Sequence, residues 1–130
     1  MKFEHAAFNV PDSPTHARWL VEHLGFTIYR APDGPTRMHF LADETGRIVL
    51  ELYTNTAAII PDYKAQSPLV THFALVSTDA SADRARLEKA GATLVSDDTA
   101  PDGSRLVMLK DPWGFALQLC QRAKPFAMPA

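Results

Sequence analysis

Polar and apolar residues alternate over FEHAAFNV (3–10), which predicts a strand. Phe3, His5, Ala7 and Asn9 then share one face, and Glu4, Ala6, Phe8 and Val10 the other. The period next lengthens. Ala17, Leu20, Val21 and Leu24 recur at helical spacing, Ser13-Pro14 reads as an N-cap followed by a first-turn proline, and Gly25 reads as the stop. Three more strand-like runs follow, FTIYR (26–30), RMHFL (37–41) and GRIVLELYT (46–54), with turns at Asp33-Gly34 and Thr45-Gly46.

The second part of the chain repeats this order. VTHFALV predicts a strand, Ser81 a cap, Ala82, Ala85 and Leu87 a helical stripe, and Gly91 a stop. ATLVS (92–96), SRLVML (104–109) and GFALQLC (114–120) predict three strands, with turns at Asp102-Gly103 and Trp113-Gly114. A shift of 67 residues places His5 on His72, Ala7 on Ala74 and Asp12 on Asp79, and the same shift carries IVLELY (48–53) onto FALQLC (115–120). Two separated blocks with one offset point to a duplicated module. The expected fold is α+β: two βαβββ modules, residues 1–55 and 70–121, forming a curved, cup-shaped mixed sheet with helices outside. Residues 56–69, with Pro61 and Pro68, are the expected linker, long enough for the modules to pair within one chain or across two, and 122–130 an extended tail.

Composition narrows the function classes. The chain has 130 residues, 46% hydrophobic and 22% charged, with a formal net charge of −2, so neither disorder nor a basic nucleic-acid surface is expected. No apolar run reaches the roughly 20 residues of a membrane span, and the start of the chain reads as strand rather than signal peptide. The single cysteine, Cys120, rules out an intrachain disulfide and suits a cytoplasmic setting.

The candidate chemistry lies at the repeated positions. His5 and Glu51 are separated by 46 residues, and so are His72 and Gln118. Leu50, Leu52, Leu117 and Leu119 suit the helix-covered face, which puts Glu51 and Gln118 on the opposite face with the two histidines. Two imidazoles, a carboxylate and an amide oxygen make a donor set for one divalent metal, with Ni, Zn, Co, Mn or Fe all admissible. Such an ion would leave two positions for vicinal oxygens of a substrate and stabilise a developing enediolate, with Glu51 as the base. Asn9, Tyr53, Asn55 and Cys120 share the same faces and are the candidate substrate contacts. His16 and His23 fall on the first helix and are expected at the surface, while His39 has no assigned face.

The blocks EHAAFNVPD and THFALVSTD, the turn KDPWGFALQL and the paired modules resemble the vicinal oxygen chelate superfamily, over about residues 3–121. That group includes glyoxalase I, methylmalonyl-CoA epimerase, extradiol dioxygenases and bleomycin-binding proteins. The resemblance is nearest to short bacterial glyoxalase I. It implies metal ligation by His5, Glu51, His72 and Gln118, a glutathione-holding role for Asn55, and a homodimer. Gln118 stands where glyoxalase I has a glutamate, and Asn9 and Pro68 where arginines would meet glutathione carboxylates. The implied activity is therefore a glyoxalase-like lyase or isomerase acting on a small carbonyl or hydroxy-carbonyl compound, rather than lactoylglutathione lyase itself. The alternatives are a metal-free small-molecule-binding module of the bleomycin-resistance kind and a ring-cleaving dioxygenase.

Overall fold

The computed structural model describes residues 1–127. The chain divides into two compact units, the first ending at Pro61 and the second beginning at Asp62. The first runs β1 (Ala6–Asn9), α1 (Ser13–Leu24), β2 (Thr27–Arg30), β3 (His39–Ala42) and β4 (Ile48–Tyr53). The second runs β5 (Phe73–Val76), α2 (Ala80–Lys89), β6 (Thr93–Thr99), β7 (Arg105–Lys110) and β8 (Ala116–Gln121). The strands form two four-stranded mixed sheets, ordered β1-β4-β3-β2 and β5-β8-β7-β6, where one curved sheet was expected. In each, the first strand lies parallel to the last and the other pairings are antiparallel.

The repeat extends to register. Ala7 lies opposite Glu51 on β4, and Ala74 lies opposite Gln118 on β8, so the 67-residue offset holds across both parallel pairings. Buried Leu41, Leu50 and Leu52 mark the helix-covered face of the first sheet; Leu109, Leu117 and Leu119 mark it in the second. Alternation sends Glu51 and Gln118 to the other face.

The helix starts correct the expected caps. Asp12, not Ser13, caps α1, its side chain accepting the Thr15 N–H at 3.4 Å; Asp79, not Ser81, caps α2, accepting the Ala82 N–H at 3.0 Å. An aspartate there satisfies an orphan amide and also meets the positive end of the helix dipole. The serine hydroxyls serve other partners: Ser13 donates to the Arg37 carbonyl at 2.7 Å, and Ser81 accepts from Arg105. Gly25 ends α1 in the left-handed region, at φ 73°, as its position predicted.

The inward faces of the helices follow the same offset with different chemistry. In α1 they are Ser13, His16, Ala17 and Leu20, with Trp19 buried beside them. His16 is thus fully buried, contrary to the surface position expected of it. In α2 the matching positions are Ala80, Asp83, Arg84 and Leu87, while Ala82 and Ala85 of the expected stripe are exposed. The polar members are paired. Ser77 donates to Asp83 at 2.6 Å, and Asp97 on β6 accepts from Arg84 at 2.8 Å and from Arg105 at 2.8 and 2.6 Å. The Arg105 and Arg84 guanidinium groups hold the Asp97 carboxyl down at about 2. An apolar-period search finds such a helix but misassigns its inward face, because two of its four inward residues are charged.

The segment after Pro61 packs into the second unit. Tyr63 is buried and meets Phe115 edge-to-face, with ring centroids 5.1 Å apart. At the other end, the Ala123 N–H donates to Ser104 and Arg122 lies over the Phe126 ring; of the expected tail, residues 128–130 lie outside the described residues. Among the described residues, no helix is long and apolar enough to cross a membrane.

Candidate functional site

His5 immediately precedes β1, and the parallel β1–β4 pairing carries it over Glu51. Its Nε2 lies 3.0 Å from Glu51 Oε2, and its Nδ1 lies 3.0 Å from Glu4 Oε1. The His5 ring stands edge-on to Phe40, with centroids 5.5 Å apart and planes at 81°. Phe40 on β3 is the cross-strand partner of Glu51, so the strand order Ala7–Glu51–Phe40 builds one patch on the helix-free face. The side chains of His5 and Glu51 are 24% and 12% exposed. Both side chains are partly buried, yet the patch remains reachable.

The counterpart in the second unit is built differently. His72 precedes β5, is exposed, and has Nδ1 2.8 Å from the Pro68 carbonyl. A carbonyl only accepts, so this contact makes Nδ1–H the donor and leaves the Nε2 lone pair outward in the neutral ring. Gln118 is half-buried, and its Oε1 accepts from the Cys120 thiol at 3.4 Å. Burial pushes the Cys120 thiol up, which keeps it a protonated donor rather than a thiolate ligand. Met108 is the other cross-strand neighbour of Gln118, where the first unit has Phe40 opposite Glu51.

The remaining candidate contacts fall into two groups. Tyr53 lies on the Glu51 face, half-buried, opposite Asn9. The Asn9 amide clamps the chain beyond β4, donating to the Asn55 carbonyl at 2.8 Å and accepting the Asn55 N–H at 2.8 Å. Asn55 Oδ1 in turn accepts the Ala57 N–H at 2.9 Å. Both asparagine side chains thus carry local structural hydrogen bonds at the end of the first sheet. His39 pairs with Leu52, which places it on the helix side of the sheet, with Nδ1 2.7 Å from the Arg37 carbonyl. Phe40 was not singled out by the sequence; the alternation of RMHFL set against GRIVLELYT contains it, but only register identifies it as the partner of Glu51.

Among the described residues, no group of three or more His, Cys, Asp or Glu side chains gathers as a metal site. His5 and Glu51 supply two donors, whereas a protein-held transition metal usually takes three or more. The site as it stands is an imidazole and a carboxylate 3.0 Å apart, set against an aromatic ring.

Related folds carry the same architecture. A glyoxalase I variant from Zea mays superposes with a TM-score of 0.72 at 24% identity, covering 95% of this chain and 46% of the maize chain. The chain thus spans about half the length of that enzyme. TnmS3, an antibiotic binding protein from Streptomyces sp. CB03234, superposes with a TM-score of 0.66 at 21% identity, covering 92% of this chain and 93% of that one. A glyoxalase family protein from Enterococcus faecalis gives 0.69 at 21% identity, with coverage of 92% and 96%. At such identities these likenesses establish the fold, not the reaction. No curated protein matches the chain. The duplicated module, its conserved register offset and the match of residues 2–119 to the family profile agree on one assignment: the chain belongs to the Glyoxalase/Bleomycin resistance protein/Dioxygenase superfamily.

Proposed function

We propose that this protein binds a small molecule on the helix-free faces of its sheets, with Glu51 and His5 as the polar anchor. The observation that carries the reading is the His5–Glu51 pair, 3.0 Å apart, half-buried and set against Phe40. A carboxylate in such a place accepts hydrogen bonds from phenolic, amide or ammonium groups, and the flanking aromatic ring offers a face for planar apolar parts of a ligand. The antibiotic-binding relative in Streptomyces supports the binding role over a retained reaction, since its length matches this chain closely. Bleomycin and a planar phenol such as 4-nitrocatechol are suitable probes in titration calorimetry. Saturable binding of either, weakened about tenfold or more by Glu51→Ala, is the expected result. Affinity indifferent to both Glu51→Ala and His5→Ala would remove the anchor from the reading.

A second reading, a metal-dependent lyase or isomerase, is favoured by the orientation of the imidazoles. Both have Nδ1 engaged by an oxygen acceptor, the arrangement that usually accompanies Nε2 ligation. In this reading His5 and Glu51 of the first unit are metal ligands, Glu51 also serves as proton acceptor, and His72 and Gln118 are the ligand candidates of the second unit. The ion would supply Lewis acidity toward a carbonyl or hydroxy-carbonyl compound. Stoichiometric metal in freshly purified protein, lost in His5→Ala and His72→Ala, is the result that would raise this reading above the first.

A further inference from the structure

We infer that Lys110 and Gly114 are positioning residues for His72, acting through the segment that joins Pro61 to β5. This rests on the reading of His72 as part of the functional face, but its geometry is independent of any ligand. The Lys110 ammonium donates to three backbone carbonyls of that segment: Tyr63 at 3.1 Å, Lys64 at 2.8 Å and Gln66 at 2.7 Å. An ammonium group has three N–H donors, so this one segment takes all of them. The turn it grips is closed by Asp62, which accepts the Gln66 N–H through its carbonyl at 3.1 Å and the Ala65 N–H through its side chain at 3.2 Å.

Gly114 supplies the seat. It sits at φ 85°, and a Cβ there would come within 2.5 Å of the Lys64 backbone nitrogen and 2.6 Å of its Cα. Only glycine allows both the left-handed conformation and that approach. The buried Tyr63 ring pins the same turn against Phe115. The segment then continues into a turn closed by Ser67, whose carbonyl accepts the Val70 N–H at 3.0 Å. Its next residue, Pro68, presents the carbonyl that receives His72 Nδ1–H at 2.8 Å. Lys110 lies on β7 and Gly114 in the β7–β8 turn, so rigid sheet elements fix the position of that acceptor, and the acceptor fixes the ring and its tautomer. The equivalent histidine in the first unit is oriented instead by the side chain of Glu4.

The test is nitrogen-detected NMR of the histidine side chains in the full chain, at a pH where the imidazoles are neutral. In the native protein His72 is expected as the Nδ1–H tautomer, with Nδ1 at a pyrrole-type and Nε2 at a pyridine-type shift. Lys110→Met keeps the aliphatic stem and removes the three donors; it should move His72 toward the Nε2–H form that dominates free histidine, while His5 signals stay unchanged. Gly114→Ala should do the same by a different route, and Lys110→Arg should restore part of the native signature. Lys64→Ala, which leaves the backbone carbonyl in place, should change nothing. An unaltered Nδ1–H tautomer in folded Lys110→Met protein would overturn the inference, as would an Nε2–H tautomer in the native chain. If His72→Ala leaves ligand binding intact while Lys110→Met still shifts the tautomer, the positioning stands and the functional reading of His72 falls.

Discussion

The two units are one backbone pattern carrying two chemistries. Register, helix caps and inward helix positions all correspond at an offset of 67 residues. Yet the first helix turns Ser13, His16, Ala17 and Leu20 inward, and the second turns Ala80, Asp83, Arg84 and Leu87. On the helix-free faces, Glu51 meets a histidine and an aromatic ring, whereas Gln118 meets a thiol and lies between Ala74 and Met108. Backbone pairing fixes where a side chain stands. What it does there is set by its neighbours on the adjacent strands, and these have diverged. The first unit carries an imidazole–carboxylate pair on its helix-free face and a helix interface without ion pairs among its inward residues; the second carries a neutral amide and thiol on its helix-free face and an ion-paired helix interface.

The largest test of this correspondence is in the two cores. Leu20 and Leu87 are fully buried at equivalent positions. Truncation to alanine should cost about 3 kcal/mol at either one, read from chemical denaturation. If only one truncation has a cost of that size, the units are not equivalent in packing.

Acid should separate the units next. Asp97 is held at about 2 by its guanidinium partners, below the ordinary 3.8. A carboxyl depressed in the folded state adds stability above its unfolded value, and that stability is lost as the pH falls from about 4 toward 2. Signals from the second unit should therefore weaken over this window, and Asp97→Asn should flatten that acid limb while lowering stability at neutral pH. Persistence of the full acid dependence in the variant would show that other carboxylates cause it.

The two helix-free faces offer a smaller contrast. Glu51→Ala should weaken binding of a phenolic or cationic ligand about tenfold, and Gln118→Ala by clearly less, because a neutral amide contributes a weaker hydrogen bond than a carboxylate. Equal losses in calorimetry would erase the distinction between the faces. The smallest effect belongs to the caps. Asp12→Ala and Asp79→Ala should each cost about 1 kcal/mol, and unequal costs measured by thermal unfolding would mark one helix as held mainly by its tertiary contacts.

Much of the architecture was legible because alternation and period are local properties. The β1 pattern, the Gly25 stop and the four turn dipeptides needed no knowledge of distant residues. The caps were misplaced because Asp12-Ser13 offers two adjacent residues with similar capping preference, and the choice depends on where Arg37 receives the serine hydroxyl. The inward face of α2 was missed because its charged members are satisfied by Asp97 and Ser77, which are neighbours only after folding. That His5 and Glu51 share a face was readable from alternation and a repeated interval, but their contact was not.

By itself, the sequence determined the duplication, the strand and helix order and the face on which each repeated residue stands, since these follow from periodicity along a single chain. Tertiary structure alone decided that His5 closes on Glu51 against Phe40, that Asn9 and Asn55 fasten a chain segment, and that Lys110 grips three carbonyls. Those contacts depend on angstrom-scale distances between segments far apart in sequence, and no local pattern encodes them.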